Sequence, residues 1–254
     1  MKHELQFNNG PSVAKLDAVI FDMDGVVTRT AGLHAAAWKH LFDEFLEAKV
    51  KSEAIIQPFD IEEDYRRHVD GRPRYDGVAS FLASRGVYLP YGDPSNPPQT
   101  LTICGLGNKK DNYFRQLLSQ KRVEVFESTI GLIRCLRAAG IKTGVFSASR
   151  NAQPILSAAN VLMLFDAKVD GVDADELGIP GKPHPAMLLE LTRRLGTAPE
   201  RTAIVEDSIA GVYAGKRGRF ALVIGVNRSA TPGQLLNNGA DIEVADLGEV
   251  DLVV

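Results

Sequence analysis

Two aspartates, Asp22 and Asp24, stand two residues apart, directly after the apolar run LDAVIF and just before Gly25. In extended chain a spacing of two puts both side chains on one side. Carboxylates held together repel unless a cation or a shared proton offsets the charge. Such a pair suits Asp22 as nucleophile and metal ligand, with Asp24 alternating as general acid and base. A surface pair of turn or capping aspartates has the same spacing. The flanking AVIF and GVVT argue for the chemical reading.

Three further groups have the same character. Ser147 ends the segment KTGVFS and offers a neutral hydroxyl donor of the kind phosphate oxygens accept; it also suits a turn or a helix cap. Ser149, Arg150 and Asn151 follow it, a cluster of donors for a second phosphate or for sugar hydroxyls. Lys182 lies in GKPHP, where Pro183 and Pro185 stiffen the chain around it. An ammonium there would neutralise the equatorial oxygens of a transferring phosphoryl group, although an exposed lysine is the commoner use of the residue. Whether the bond before Pro183 is cis is left open by the sequence. Glu206 and Asp207 end the segment TAIVE; their hard oxygens suit Mg²⁺, while Asp207 could equally cap the helix that follows.

These residues need elements that end where they begin. LDAVIF, KTGVFS, TAIVE and FALVIGV read as short buried strands. Between them, apolar residues recur at helical spacing over Ile130–Ala139, Ala152–Ala159, His184–Leu195 and the segment SIAGVYAGKRG. Alternating strands and helices predict an α/β core with a Rossmann-like parallel sheet covered on both faces. In such sheets ligands bind beyond the carboxyl ends of the strands, which is where the four groups fall.

The stretch from residue 31 to about 120 differs. His34, Ala37, Trp38, Leu41, Phe42, Phe45 and Leu46 mark one face of a helix, and helical spacing returns in Val78–Ser84 and Asn112–Leu118. Pro90, Pro94, Pro97 and Pro98 preclude regular structure between them. The chain is therefore expected to comprise a tail (1–14), an α/β core (15–30 and 120–254) and an inserted all-helical cap (31–119).

Composition narrows the function. With 254 residues, 44% hydrophobic and 24% charged, and a net charge of −3, the chain has no basic surplus for nucleic acid. No apolar run reaches the ~18 residues of a membrane span, and the opening MKHELQFNNG lacks a signal-peptide core. Cys104 and Cys135 lack metal-ligand spacing and read as small apolar residues. A cytoplasmic monomer acting on a small phosphorylated sugar is expected.

The runs FDMDGVVT, VFSAS, GKPHP and VEDSIAGV together resemble the signature segments of the haloacid dehalogenase-like phosphotransferases. The resemblance extends over nearly the whole chain after about residue 15. It is nearest to the β-phosphoglucomutase group, through His34, the Ala-Trp-Lys at 37–39, and the segments VDGRPRYDGV, KKDNYF and SASRN.

The resemblance implies phosphorylation of Asp22, acid/base work by Asp24 and a backbone carbonyl from Asp24 to Mg²⁺. It implies that Asp207 ligates the metal, with Glu206 in direct or supporting contact. Ser147 and Lys182 would hold the transferring phosphoryl group. Arg74, Ser149, Arg150 and Asn151 would hold the other phosphate, and His34 would help position Asp24 unless it is simply a core histidine.

Three departures stand out: Arg29 where an acidic residue is usual, Ala186 in place of an acidic residue after the KPxP pattern, and extra cap length over 85–108. The resemblance implies a mutase acting on a hexose 1-phosphate, with a sugar-phosphate phosphatase as the alternative. Metal-free dehalogenation fits poorly with Asp24 and the Glu206–Asp207 pair. A non-catalytic binding module would be expected to have lost a signature residue, and none is missing.

Overall fold

The computed structural model describes residues 4–7, 13–14, 16–49, 57–120, 122–228 and 232–253. The strands are β1 (Glu4–Phe7), β2 (Val13–Ala14), β3 (Ala18–Asp22), β4 (Lys142–Phe146), β5 (Ala167–Val169), β6 (Thr202–Glu206), β7 (Leu222–Val226), β8 (Ile242–Val244) and β9 (Val250–Val253). The helices are α1 (Ala31–Lys49), α2 (Arg74–Ser84), α3 (Ile103–Ser119), α4 (Glu127–Ala138), α5 (Ala152–Ala158), α6 (Gly171–Leu177), α7 (Ala186–Leu195), α8 (Ile209–Arg217) and α9 (Gln234–Asn237). Two compact units result, one formed by Met1–Arg29 with Val123–Val254 and the other by Thr30–Arg122.

The first unit is built on a six-stranded parallel sheet in the order β5-β4-β3-β6-β7-β8. All five residues of β3 are buried, as are those of β6 and β7, because helices cover both faces of a parallel sheet. Met187, Leu188, Leu191 and Leu195, spaced by one, three and four residues, form the stripe by which α7 joins the core of Ile20, Phe146, Ile204 and Val223. Gly196 ends that helix in the left-handed conformation.

Register places the chemistry. Asp22 lies opposite Phe146 on one side, and Phe21 lies opposite Val205 on the other. Asp22, Ser147 and Glu206 therefore leave the sheet at the same level. Chain order reverses direction on either side of β3, the crevice where open α/β sheets bind their ligands.

Two features differ from the sequence reading. Residues 1–14, read as a tail, contribute β1 and β2, which join β9 in an antiparallel sheet of order β2-β1-β9. Strands of four and two residues carry too little periodicity to be seen beforehand. The edge strands β5 and β8, three residues each, were missed for the same reason.

The second unit has helices α1, α2 and α3, a π-helical turn at Tyr65–Val69, and no strand among its described residues. Its core is aromatic: Trp38, Phe42, Phe59 and Phe81 are buried together, with the Phe42 and Phe81 ring centroids 4.0 Å apart. The proline-rich segment ends at Thr102, whose hydroxyl caps α3 by accepting from the Gly105 N–H.

Candidate active site

Beyond β3 the chain folds into a tight turn. The Met23 carbonyl accepts from the N–H groups of Val27 and Thr28 and from the Thr28 hydroxyl, and the Gly25 N–H donates to the Thr28 carbonyl. Gly25 has φ +91°, which an L side chain adopts only with strain. A Cβ placed there would fall 1.7 Å from Asp207 Oδ2. The turn needs glycine twice over, and the Asp207 carboxylate lies directly against it.

Lys182 is the centre of the site. Its ammonium donates to Asp22 Oδ1 and to Glu206 Oε1 in a short two-sided ion pair. The three side chains are 3%, 5% and 0% exposed, so the pair is sealed from water. The ammonium also sits 4.2 Å from the centre of the Phe146 ring. The Lys182–Pro183 peptide is cis.

Glu206 is fully engaged. Its second oxygen accepts from the Ser208 N–H (2.7 Å) and the Ser208 hydroxyl (2.9 Å). Gly211 lies so close that a Cβ there would fall 1.8 Å from Glu206 Oε1.

Ser208, rather than Asp207, is the N-cap of α8, accepting from the Gly211 N–H at 3.1 Å. Sequence reading missed Ser208 and Gly211. The signal was present as a serine before a helical run, but adjacent aspartate and serine compete for that role.

Ser147 donates to Asp24 Oδ2 at 3.0 Å and accepts from the Ser149 N–H at 3.0 Å. Ser149 in turn accepts from the N–H of the buried Asn151 at 3.1 Å. The loop after β4 is thus a chain of serine turns that presents the Ser147 hydroxyl to Asp24. Arg150 faces another way, its guanidinium paired with Asp175 on α6.

Charge is unevenly balanced. Burial pushes the Asp22 carboxyl well above its usual value, and the Glu206 and Asp24 carboxylates push it further against the pull of Lys182. Lys182 stays protonated: the flanking carboxylates hold it up despite the burial that opposes its charge. One ammonium faces two carboxylates, Asp24 acts on Asp22 as a third, and Asp207 stands at the same turn. Among the described residues no three His, Cys, Asp or Glu side chains form a ready metal cage. Mg²⁺ does not require one, because it binds through one or two carboxylates and keeps its waters. Hard oxygens in negative excess around Asp22, Asp24 and Asp207 fit that ion, whereas both oxygens of Glu206 are already engaged.

The helical unit holds the remaining predicted residues. Arg74 pairs with Asp111 at 2.7 Å, and its other terminal nitrogen lies 3.4 Å from the Asn108 side chain. His34 stacks on Phe114 with ring centroids 4.0 Å apart, and its Nδ1 lies 2.6 Å from the Lys110 ammonium. Lys110 is 5% exposed and sits within 5.0 Å of the Trp38 and Phe114 ring centres. Nothing in the segment KKDNYF marked Lys110 over Lys109, because only packing separates them.

The family model for haloacid dehalogenase-like hydrolases matches residues 16–219. The β-phosphoglucomutase of Mycobacterium bovis is 40% identical over 240 residues, spanning 93% of this chain and 92% of that protein. The trehalose-phosphate phosphatase of Mycobacterium leprae is 38% identical over 128 residues, covering 49% of this chain and 28% of its own. Among solved structures, a β-phosphoglucomutase from Clostridium difficile superposes with a TM-score of 0.73 at 23% identity, covering 92% of each chain, and so shares the fold. With its strand-end carboxylates and buried lysine, the chain belongs to the haloacid dehalogenase-like hydrolase family, as an enzyme of the phosphotransferase type, with phosphatase as the alternative.

Proposed function

We propose that the chain is a magnesium-dependent β-phosphoglucomutase that converts β-glucose 1-phosphate to glucose 6-phosphate through an aspartyl phosphate on Asp22. One observation carries this reading: Asp22, Lys182 and Glu206 form a buried ion-pair triad beside the Asp24–Ser147 hydrogen bond. Identity of 40% to a protein named β-phosphoglucomutase supports it over nearly the whole chain.

In the first step a carboxylate oxygen of Asp22 attacks phosphorus in line, and the bond from phosphorus to the leaving sugar oxygen breaks. Lys182 opposes the burial that disfavours the Asp22 carboxylate and neutralises the phosphoryl oxygens as charge builds on them. Asp24, oriented by Ser147, protonates the leaving oxygen and later removes a proton from the attacking hydroxyl. Glu206 anchors Lys182. Mg²⁺, when held by Asp22, Asp24 and Asp207, supplies Lewis-acid neutralisation of the phosphoryl group. Ser149 and Asn151 are assigned to substrate binding, and within the helical unit Arg74 and His34 are assigned the same role. Arg150 joins them if substrate draws it from Asp175.

The phosphatase reading shares the first step and differs in the acceptor, which is water; the similarity to a trehalose-phosphate phosphatase over half the chain favours keeping it. Incubation with Mg²⁺, β-glucose 1-phosphate and trace glucose 1,6-bisphosphate separates the two. Glucose 6-phosphate supports the mutase, and free phosphate alone rejects it. Chelation of the metal should abolish either activity. Among the described residues no helix is long and apolar enough to cross a membrane. We place the enzyme in the cytoplasm, as a monomer acting on small sugar phosphates.

A further inference from the structure

The turn that carries Asp24 is gripped from outside the site. Phe126, 6% exposed, lies between two guanidinium groups, with Arg228 3.5 Å and Arg29 4.2 Å from its ring centre. Arg228 Nε donates to the Gly25 carbonyl at 2.9 Å, and its Nη1 donates to Asp246 Oδ2 at 3.3 Å. Asp246 is itself fixed as the cap of the short 3-10 helix Leu247–Glu249, where it accepts from the Gly248 N–H at 2.8 Å. On the other side, the Phe126 N–H donates to the Val27 carbonyl, the Arg29 N–H donates to the Glu124 carbonyl, and Thr28 bridges Val125.

These contacts define a clamp. Residues 27–29 are zipped to 124–126 and the Thr129 hydroxyl donates to the Val26 carbonyl at 2.7 Å, which leaves the Gly25 carbonyl to Arg228. Gly25 has no Cβ to restrict it, and peptides next to glycine reorient at little cost. Arg228 holds that carbonyl with a charge-assisted hydrogen bond, and the cation–π contact with the Phe126 ring keeps the guanidinium in place. Arg29 completes the stack, 4.2 Å from the ring centre.

We propose that Arg228 is a positioning residue for Asp24, acting through the Gly25 carbonyl with Phe126 as its platform. The assignment rests on the reading of Asp24 as acid/base. Arg228 touches backbone and not the reacting groups, so its loss should lower kcat and spare KM.

The test compares wild type with Arg228→Ala, Arg228→Lys and Phe126→Leu. Turnover is measured with Mg²⁺ on β-glucose 1-phosphate and on p-nitrophenyl phosphate, and amide hydrogen exchange is followed across residues 24–28. Arg228→Ala should lower kcat roughly tenfold, leave KM within about threefold and speed exchange at the turn roughly tenfold, as expected for one lost charge-assisted hydrogen bond. Arg228→Lys, which keeps a donor, should lie between, and Phe126→Leu should resemble Arg228→Ala. Unchanged exchange, or unchanged kcat in an active enzyme, overturns the proposal. If wild type turns over neither substrate, the proposed function fails, while exchange still shows whether Arg228 holds the turn.

Discussion

Replacing Lys182 by methionine tests the electrostatic account of the site most directly. The substitution keeps most of the side-chain volume and removes the one cation between Asp22 and Glu206. Both carboxylates are almost fully buried, so water cannot replace what is lost. Breaking a buried ion pair from one side costs about 3–5 kcal/mol. For a chain of this size that lowers the melting temperature by roughly 6–20 °C.

The pH dependence has a definite sign. Burial already raises Asp22, and removal of Lys182 raises it further. A group raised in the folded state contributes stability below its unfolded pKa and loses it as pH rises through the folded value. The gap between Lys182→Met and wild type should therefore widen from pH 5 to pH 8. Adding Glu206→Gln removes one stranded charge and keeps an acceptor for Ser208. The double variant should therefore melt above Lys182→Met at pH 8. Calorimetry in EDTA at both pH values reads all of this. A Lys182→Met protein that melts within about 2 °C of wild type at pH 8 would refute the reasoning. So would a double variant that melts lower still.

Asp22→Asn should abolish phosphoenzyme formation, seen as the loss of acid-stable label. It should leave metal-free stability unchanged or raised by up to about 1 kcal/mol, because it relieves the carboxylate crowding; thermal melts in EDTA check this. Gly211→Ala forces a methyl group into the space of the Glu206 carboxylate and should cost about 1–3 kcal/mol. Lower activity measured alongside would show that Lys182 moves with Glu206. Glu190 on α7 is held down to about 2 by hydrogen bonds from Arg193 and Arg194. A lowered acid stabilises above its unfolded value and loses that contribution as pH falls through about 2. Glu190→Gln should therefore be less stable than wild type at pH 6 by under about 1 kcal/mol, given the exposed arginine partner Arg193, with the difference closing as pH falls below about 2.

The candidate chemistry and the parallel sheet were legible from the sequence because both rest on local order. An apolar run that stops at a polar turn already fixes a strand end, and Asp22, Ser147, Lys182 and Glu206 each follow such a stop or a stiff loop. The short strands β1, β2, β5 and β8 were hidden, since two to four residues carry no period. Tertiary structure decided partnership. No spacing shows that Lys182 joins Asp22 to Glu206, that Ser147 turns to Asp24, or that Arg150 pairs with Asp175. Nor could the sequence single out Lys110 from Lys109, or join Arg228 to a glycine carbonyl 203 positions earlier. Charge and hydrogen bonding act through space over a few ångströms, whereas periodicity reports only which way each side chain leaves its own segment.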